Sequence, residues 1–145
     1  MIEIYGTIEL MLAPEPRWEL VSNPLYKMHD NRVIKPQAGF MFDGGSIPRV
    51  FWTLVGHPLS HRGIRGYLLH DWLYAKSREG SYHCTRRQAD EWLLDVLLYD
   101  RMDPITAHGI YTAVRGASYP FWGDGIPDER ANLLEDPAGF EWFRE

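Results

Sequence analysis

The stretch GYLLHDWLYAK, residues 66–76, places two titratable side chains, His70 and Asp71, inside an otherwise apolar run. Burying a carboxylate among Leu and Trp side chains is costly unless a cation or hydrogen-bond donors compensate its charge. The stretch therefore indicates one of two arrangements. Either His70 and Asp71 form a buried polar cluster that fixes the fold, or they are the working part of a functional site.

Composition narrows the class of protein to which this stretch belongs. The chain has 145 residues, of which 45% are hydrophobic, as expected for one soluble domain with a real core. The net charge is −5 and Lys and Arg form no long run, which disfavours general nucleic-acid binding. Because Cys84 is the only cysteine, an internal disulfide and a CxxC zinc site are excluded. No stretch is typical of a signal peptide or a transmembrane helix.

Periodicity and turn signals predict an α+β fold in a single domain spanning 1–145. A small N-terminal antiparallel sheet is expected, with strands at 2–12, 17–22, 25–34 (with a turn at 29–31) and 37–42. A helical site region over 43–120 should follow, with a short helix and then a three-helix core, at 49–56, 61–78, 86–102 and 105–118. Ser60, Thr85 and Asp103 are the predicted caps of the three core helices. Residues 121–145 would form an irregular aromatic tail.

Helical geometry predicts which side chains meet around His70. Tyr74 lies four residues after His70 and three after Asp71, so it can reach either of them. Asp90 lies near the start of the next helix, and the short connection predicts that the two helices are antiparallel neighbours. Asp90 can then accept a hydrogen bond from one imidazole nitrogen of His70 and leave the other nitrogen as a base.

The stretch FDGGSIPR, upstream of this helix, suggests a metal site. Gly44 and Gly45 allow positive φ angles that turn backbone carbonyls toward a ligand, and Asp43 adds a carboxylate. Together with Asp71, such an oxygen-rich set suits calcium. An imidazole with two carboxylates would instead suit zinc or another divalent transition metal.

The same residues also fit a purely structural role, which spacing alone favours. His-Asp neighbours often occur because the Asp caps a helix and the His packs, and DGGSIP can be a turn followed by a helix cap. The catalytic arrangement requires His70 and Asp71 to open onto a pocket beside the backbone of Gly44 and Gly45. A pair sealed inside the protein with every hydrogen bond satisfied would contradict it.

Three motifs in order carry a first resemblance: PQAGFMFDGGSIPRVFW, HDWLY and RRQADEWL. Together they resemble an uncharacterised domain family of phages and prophages, whose members carry a D-x-x-S-I-P turn, an H-D-x-L-Y helix and an A-D pair on the following helix. The resemblance covers most of the chain. It implies a phage or prophage origin and no particular activity.

A second, local resemblance rests on His70-Asp71-x-x-Tyr74 followed by Asp90 on the next helix. This pattern resembles the catalytic pattern of the phospholipase A2 superfamily, and is closest to the disulfide-free phospholipase domain of parvoviral capsid proteins. The resemblance implies that His70 activates water, Asp71 binds calcium, Asp90 orients His70 and Tyr74 supports Asp90. DGGSIP would take the place of the glycine-rich calcium loop, although the usual Gly-x-Gly spacing is absent.

Two functions follow as hypotheses. The first is a calcium-dependent lipid ester hydrolase, acting on phospholipid or a membrane surface. Its acyl groove would be lined by Trp52, Trp72 and Trp92. Its basic rim for anionic lipid would consist of Arg62, Arg65, Arg86 and Arg87. The second is a non-catalytic virion or accessory protein that contacts other phage proteins and uses the polar cluster structurally. Either would be found in the bacterial host cytoplasm or in the virion.

Overall fold

A computed structural model of the protein describes residues 2–12, 18–42, 63–79 and 84–117. The strands in this part of the chain are β1 (Glu3–Tyr5), β2 (Leu10–Leu12), β3 (Trp18–Leu20), β4 (Leu25–Lys27), β5 (Val33–Ile34) and β6 (Met41–Phe42). The helices are α1 (Ile64–Arg78), α2 (Arg86–Tyr99) and α3 (Pro104–Ala117). Strands followed by three helices confirm the predicted α+β fold. The single domain over 1–145 stays a prediction, and the helix at 49–56 and the tail at 121–145 lie outside the described residues.

The strands form two antiparallel sheets, not the single sheet that was predicted. One sheet has the order β1-β4-β5 and the other has the order β2-β3-β6. The stretch 2–12 is therefore not one strand. It divides near Gly6, whose φ of 82° is a conformation that glycine adopts without steric cost. The apolar alternation continues across this glycine, so the pattern does not reveal that its two halves pair with different partners.

The turn predicted at 29–31 is confirmed. The amide of Met28 donates to the carbonyl of Arg32 at 2.8 Å, and Asn31 has a φ of 69°. Asn tolerates this left-handed conformation better than most residues with a side chain. The turn joins β4 to β5 in the first sheet.

Two of the predicted helix caps are present. Thr85 and Gln88 form a reciprocal capping box at the start of α2, with bonds of 3.0 Å and 2.9 Å. The Asp103 carboxylate accepts the amide of Thr106 at 3.0 Å at the start of α3. These side chains fix where the two helices begin.

The ends of α1 and α2 differ from prediction. Helix α1 begins after Gly63, whereas the prediction began it at 61 with a Ser60 cap; Ser60 itself lies outside the described residues. Helix α2 ends at Tyr99 because Arg101 takes a left-handed φ of 65°. The amide of Met102 then bonds the carbonyl of Leu97 at 3.0 Å, which is the Schellman pattern of a helix end.

Helix α1 is the centre of the fold. It is buried continuously from Gly66 to Tyr74. Its N-terminal half packs closely on α2, since a Cβ at Gly66 would lie 3.1 Å from Leu97 Cδ2 and 3.2 Å from Leu93 Cδ1. The helices run antiparallel, because Gly66 faces Leu97 near the end of α2 while Tyr74 reaches Asp90 near its start.

Each sheet covers a different side of α1 with its own apolar cluster. In the first cluster, Tyr26 and Ile34 of the first sheet and Met28 of its turn pack with residues of α1 that include Leu69, Trp72 and Leu73. The second sheet packs Leu20 and Phe42 with Tyr67 and Leu68 of α1 and with Ile110 and Val114 of α3. Polar residues in the middle of α1 are consequently enclosed by protein on all sides.

Two of the three tryptophans assigned to an acyl groove belong to this core. Trp72 and Trp92 are each 5% exposed and lie in the first cluster. They therefore do not line a surface groove, and Trp52 lies outside the described residues. The sequence prediction failed here because a Trp at helical spacing is equally suited to a core. None of the helices in the described part of the chain combines the length and apolar character needed to cross a membrane.

Candidate functional site

Four side chains from three helices converge on the carboxylate of Asp90, and we call these five residues the Asp90 cluster. His70 Nε2 lies 2.7 Å from Asp90 Oδ1, and the Tyr74 hydroxyl donates to the same oxygen at 2.6 Å. Arg115 Nη1 donates to the other oxygen, Oδ2, at 2.8 Å. Arg86 Nη1 lies 3.6 Å from that oxygen. The two oxygens of one carboxylate therefore hold two different sets of partners.

Helical spacing explains how these side chains meet. His70 and Tyr74 are one turn apart on α1 and so lie on one face of it. Arg86 and Asp90 have the same spacing on α2. Arg115 comes from the last turn of α3, which packs along α2. The antiparallel pairing of α1 and α2 places the His70 face of one helix against the Asp90 face of the other.

Burial makes it costly to place the charged groups of the cluster away from water. His70, Tyr74 and Asp90 are each 0% exposed and Arg86 is 6% exposed, while the side chain of Arg115 is 19% exposed. Burial alone would raise the pKa of Asp90. Hydrogen bonds from His70, Tyr74 and Arg115 outweigh it and hold the pKa of the Asp90 carboxyl below its ordinary value of 3.8. Asp90 is therefore ionised at neutral pH.

The ionised state of Asp90 settles which nitrogen of His70 carries hydrogen. A carboxylate has only acceptors, so Nε2 must be the donor in the bond to Oδ1. In the neutral imidazole, the lone pair is then on Nδ1. Tyr74 supports the same arrangement, because burial and the negative charge of Asp90 raise the pKa of its hydroxyl and keep it a neutral donor. Its ring also lies against that of His70, with centroids 4.2 Å apart.

The hydrogen bond expected between His70 and Asp90 is thus present, as is the contact expected between Tyr74 and Asp90. Asp71, the candidate calcium ligand, directly follows His70 on α1 and is 4% exposed. The remaining candidate ligands, Asp43, Gly44 and Gly45, lie outside the described residues.

The described residues contain no group of three His, Cys, Asp or Glu side chains arranged to hold a metal ion. His70, Asp71 and Asp90 therefore do not supply three ligands by themselves, and the zinc alternative stays a prediction because Asp43 lies outside the described residues. The oxygens of Asp90 instead face His70 and Tyr74 on one side and Arg115 on the other. Asp71 is the carboxylate to which a calcium role was assigned, and it lies next to His70 in this part of the chain.

The basic rim suggested for anionic lipid is not formed by Arg65 and Arg86. Arg65 makes a two-pronged ion pair with Asp100, with Nε 3.0 Å from Oδ2. Arg86 is buried in the Asp90 cluster. Arg87 is exposed, and Arg62 lies outside the described residues. The prediction rested only on the position of these arginines near helix ends. The carboxylates that pair with Arg65 and Arg86 could not be recognised from that position.

Two members of the cluster were not predicted: Arg86 was assigned to a surface rim, and Arg115 was not named at all. Arg115 lies 25 residues after Asp90 and belongs to no motif. A basic residue in the last turn of a helix is common, because it offsets the negative end of the helix dipole. Only the packing of α3 on α2 distinguishes Arg115 from such residues.

Comparisons with known proteins identify the family and nothing finer. No curated protein and no solved structure shows a significant match to the chain. Residues 18–114, more than half of the chain, match a family described as Protein of unknown function (DUF1353). This span contains His70, Asp71, Tyr74 and Asp90, and ends one residue before Arg115. The chain belongs to the DUF1353 family of proteins of unknown function.

Proposed function

We propose that this protein is a metal-assisted hydrolase in which His70 is the general base. One observation carries the proposal: His70 Nε2 lies 2.7 Å from Asp90 Oδ1, and the Tyr74 hydroxyl donates to the same oxygen. A histidine held in one tautomer by a buried carboxylate keeps the opposite nitrogen as the base, which is the arrangement that water activation requires.

In the proposed reaction, His70 Nδ1 takes a proton from water while the water oxygen attacks an ester carbonyl carbon. Asp90 offsets the positive charge that develops on the imidazole. The proton then passes to the leaving alkoxide as the ester C–O bond breaks, so that a carboxylic acid and an alcohol are released. Tyr74 keeps the carboxylate of Asp90 aligned with His70 throughout the reaction.

The finer proposal is a calcium-dependent, phospholipase A2-like lipid ester hydrolase of phage or prophage origin. Asp71 would hold calcium together with Asp43 and the backbone of Gly44 and Gly45. When bound, the cation would supply stabilisation for the negative charge that develops on the carbonyl oxygen. Phospholipid is the proposed substrate because the local pattern around His70 resembles that superfamily. In a phage, such an activity would serve membrane breach during infection or lysis.

The burial of the site favours a second candidate. His70 and Asp90 have no exposed surface and Asp71 is 4% exposed, so substrate reaches His70 only in a form of the protein that has opened. A cluster this enclosed also serves well as an internal lock between α1, α2 and α3. The second proposal is therefore a non-catalytic virion or accessory protein that binds other phage proteins and uses the Asp90 cluster structurally.

Fatty-acid release from phospholipid vesicles separates the two. The wild type, His70→Gln and His108→Gln should be compared in calcium and in chelator; His108 is an exposed histidine on α3 and provides the matched control. Since a positioned general base contributes about 10²- to 10⁴-fold, His70→Gln should lose that much activity while His108→Gln keeps it. Equal rates in the wild type and His70→Gln would sink the hydrolase proposal.

The calcium role of Asp71 needs its own measurement. Titration of calcium into the wild type by calorimetry should give a binding isotherm that Asp71→Asn loses, because a hard cation depends on its carboxylate ligand. Asp95→Asn is a suitable control, since Asp95 lies on α2 and its side chain is 31% exposed. An unchanged isotherm in Asp71→Asn would remove Asp71 from the proposed ligand set.

The structural proposal predicts a different outcome. His70→Gln should then leave lipid hydrolysis at the background rate in both proteins and lower the thermal midpoint of unfolding. A His70→Gln variant that is as stable as the wild type would contradict a locking role.

A further inference from the structure

We infer that Arg115 is a positioning residue for His70, which it controls through the second oxygen of Asp90. The inference rests on the proposed function for its catalytic consequence, although its structural part does not. Arg115 Nη1 donates to Asp90 Oδ2 at 2.8 Å, while His70 and Tyr74 both bind Oδ1. The guanidinium therefore sets the direction in which the carboxylate presents Oδ1 to the imidazole.

A carboxylate needs such a partner because it rotates readily. The terminal torsion of Asp has a broad, two-fold energy profile, so bonds to Oδ1 alone leave the plane of the group poorly defined. A charge-assisted bond from Arg115 to Oδ2 defines that plane, since such bonds are short and roughly twice as strong as neutral ones. Arg86 Nη1, 3.6 Å from the same oxygen, adds a second positive charge on that side.

Arg115 is in turn held by the packing of α3. Ile110 and Val114 are buried in the second apolar cluster, at 1% and 0% exposed. Arg86 Nη2 also donates to the backbone carbonyl of Arg115 at 3.3 Å, which ties the last turn of α3 to α2. Helix α3 carries none of the residues predicted for the site, yet its placement on α2 determines where Oδ1 points on the other side of the cluster.

The geometry also explains why a third helix is needed. The donors of α1 use one oxygen, and the single arginine that α2 contributes lies at 3.6 Å, beyond hydrogen-bond distance. Arg115 supplies the close contact to the second oxygen. Without it, Asp90 retains its bonds to His70 and Tyr74 but loses the partner that fixes their angle.

The test follows the His70 ring directly by ¹⁵N NMR of the full chain labelled at histidine. The wild type should show a protonated Nε2 that exchanges slowly with water, as its burial and its bond to Asp90 require. Arg115→Gln should shift this Nε2–H signal, and Arg115→Lys, which restores a charged donor, should return it toward the wild-type position. Arg87→Gln, the same change at an exposed arginine of α2, should leave it unchanged.

Vesicle hydrolysis supplies the second readout. Arg115→Gln should lower kcat by about 10- to 100-fold, the range for partners that orient a functional ligand, with KM changing little. Arg115→Lys should recover most of that loss, which a general loss of stability would not explain.

The outcomes separate the two proposals. An Nε2–H signal at the wild-type position in Arg115→Gln overturns the inference, whatever the hydrolysis rates are. If Arg115→Gln does not fold, Arg115→Lys decides in its place, because a folded Arg115→Lys whose Nε2–H signal does not lie near the wild-type position would overturn it. If the wild type releases no fatty acid, the proposed function fails, and the NMR signal alone still decides whether Arg115 positions His70.

Discussion

The interface between α1 and α2 has two ends of opposite character. At one end, Gly66 has no side chain and lets Leu93 and Leu97 approach the α1 backbone. One and two turns further along α1, His70 and Tyr74 meet Asp90 through hydrogen bonds of 2.7 Å and 2.6 Å. The same pair of helices is thus joined by close apolar packing at one end and by directional polar bonds at the other.

The apolar end and the polar end of this interface differ in how they respond to a substitution. Apolar packing is the sum of many small, non-directional contacts, so a change of shape costs energy in proportion to the misfit. The polar end depends on a few atoms. Removing the carboxylate of Asp90 leaves buried donors and charges without their partner, and the remaining cluster has no way to relax.

The largest effect is therefore expected for Asp90→Asn. The amide keeps the shape but removes the negative charge that faces Arg115 and Arg86, and breaking a buried pair in this way costs about 3–5 kcal/mol. Urea unfolding measures the loss. Asp95→Asn is the control, because Asp95 contacts the exposed His29 at 3.5 Å, and an exposed pair is worth at most about 1 kcal/mol. Equal losses in both variants would contradict the special role of the Asp90 cluster.

Lowering the pH should remove the stabilising interactions of the Asp90 carboxylate without a mutation. The pKa of Asp90 is lowered on folding, so its stabilising contribution is present above its ordinary value of 3.8 and is lost as the pH falls through the lower, folded value. The difference in unfolding free energy between the wild type and Asp90→Asn should therefore be constant near neutral pH and shrink below about pH 4. A difference that grows on acidification would mean that Asp90 is not ionised in the folded protein.

A smaller effect is expected for Tyr74→Phe. The variant loses one hydrogen bond to a charged acceptor, worth about 1.5–3 kcal/mol, while His70 still occupies Oδ1. Tyr26→Phe provides the comparison, since Tyr26 is equally buried but donates to the neutral carbonyl of Arg65 at 2.8 Å. That bond should be worth about 0.5–1.5 kcal/mol. Thermal unfolding that ranks Tyr26→Phe as the more damaging change would argue against an ionised Asp90.

The apolar end should tolerate Gly66→Ala at moderate cost. The new methyl group would lie 3.1 Å from Leu97 Cδ2, and the strain of overpacking is offset in part by the better helix propensity of Ala. We expect a net loss of about 1 kcal/mol, measured by urea unfolding. A stabilised variant would show that α2 can move away from α1 without disturbing the cores.

The smallest effect, and one of opposite sign, is expected for Gly109→Ala. Gly109 is exposed on α3, and a Cβ there would meet no atom of the described residues within 4 Å. The same substitution should therefore stabilise the protein by about 0.5–1 kcal/mol through the conformational entropy of the unfolded chain. A destabilised Gly109→Ala would indicate that this face of α3 is covered by something.

Local signals predicted much of the fold and part of the site. Thr85 and Asp103 were recognisable as caps, and one-turn spacing placed Tyr74 beside His70. The antiparallel pairing of two helices joined by a short connection then brought Asp90 to them. Each of these inferences needs only residues that are near in sequence or one connection apart, which is the range over which helical geometry is reliable.

The predictions that were wrong or missing depend on residues that are distant in sequence. The division of 2–12 at Gly6 depends on which strand each half pairs with, and Arg115 depends on how α3 packs on α2. Arg65 was assigned to a surface because its partner, Asp100, lies 35 residues away. Such long-range partners are chosen by the packing of whole elements, and no local pattern in a single sequence records that choice.

The continuous burial of α1 from Gly66 to Tyr74 has a consequence for how the protein unfolds. The two sheets share no ladder with each other, yet each needs one side of the same helix to cover its apolar face. If either sheet detached, a flank of α1 rich in Leu and aromatic residues would face water. We therefore expect local opening on one side to be coupled to the other, so that the two sheets and α1 unfold as a single cooperative unit.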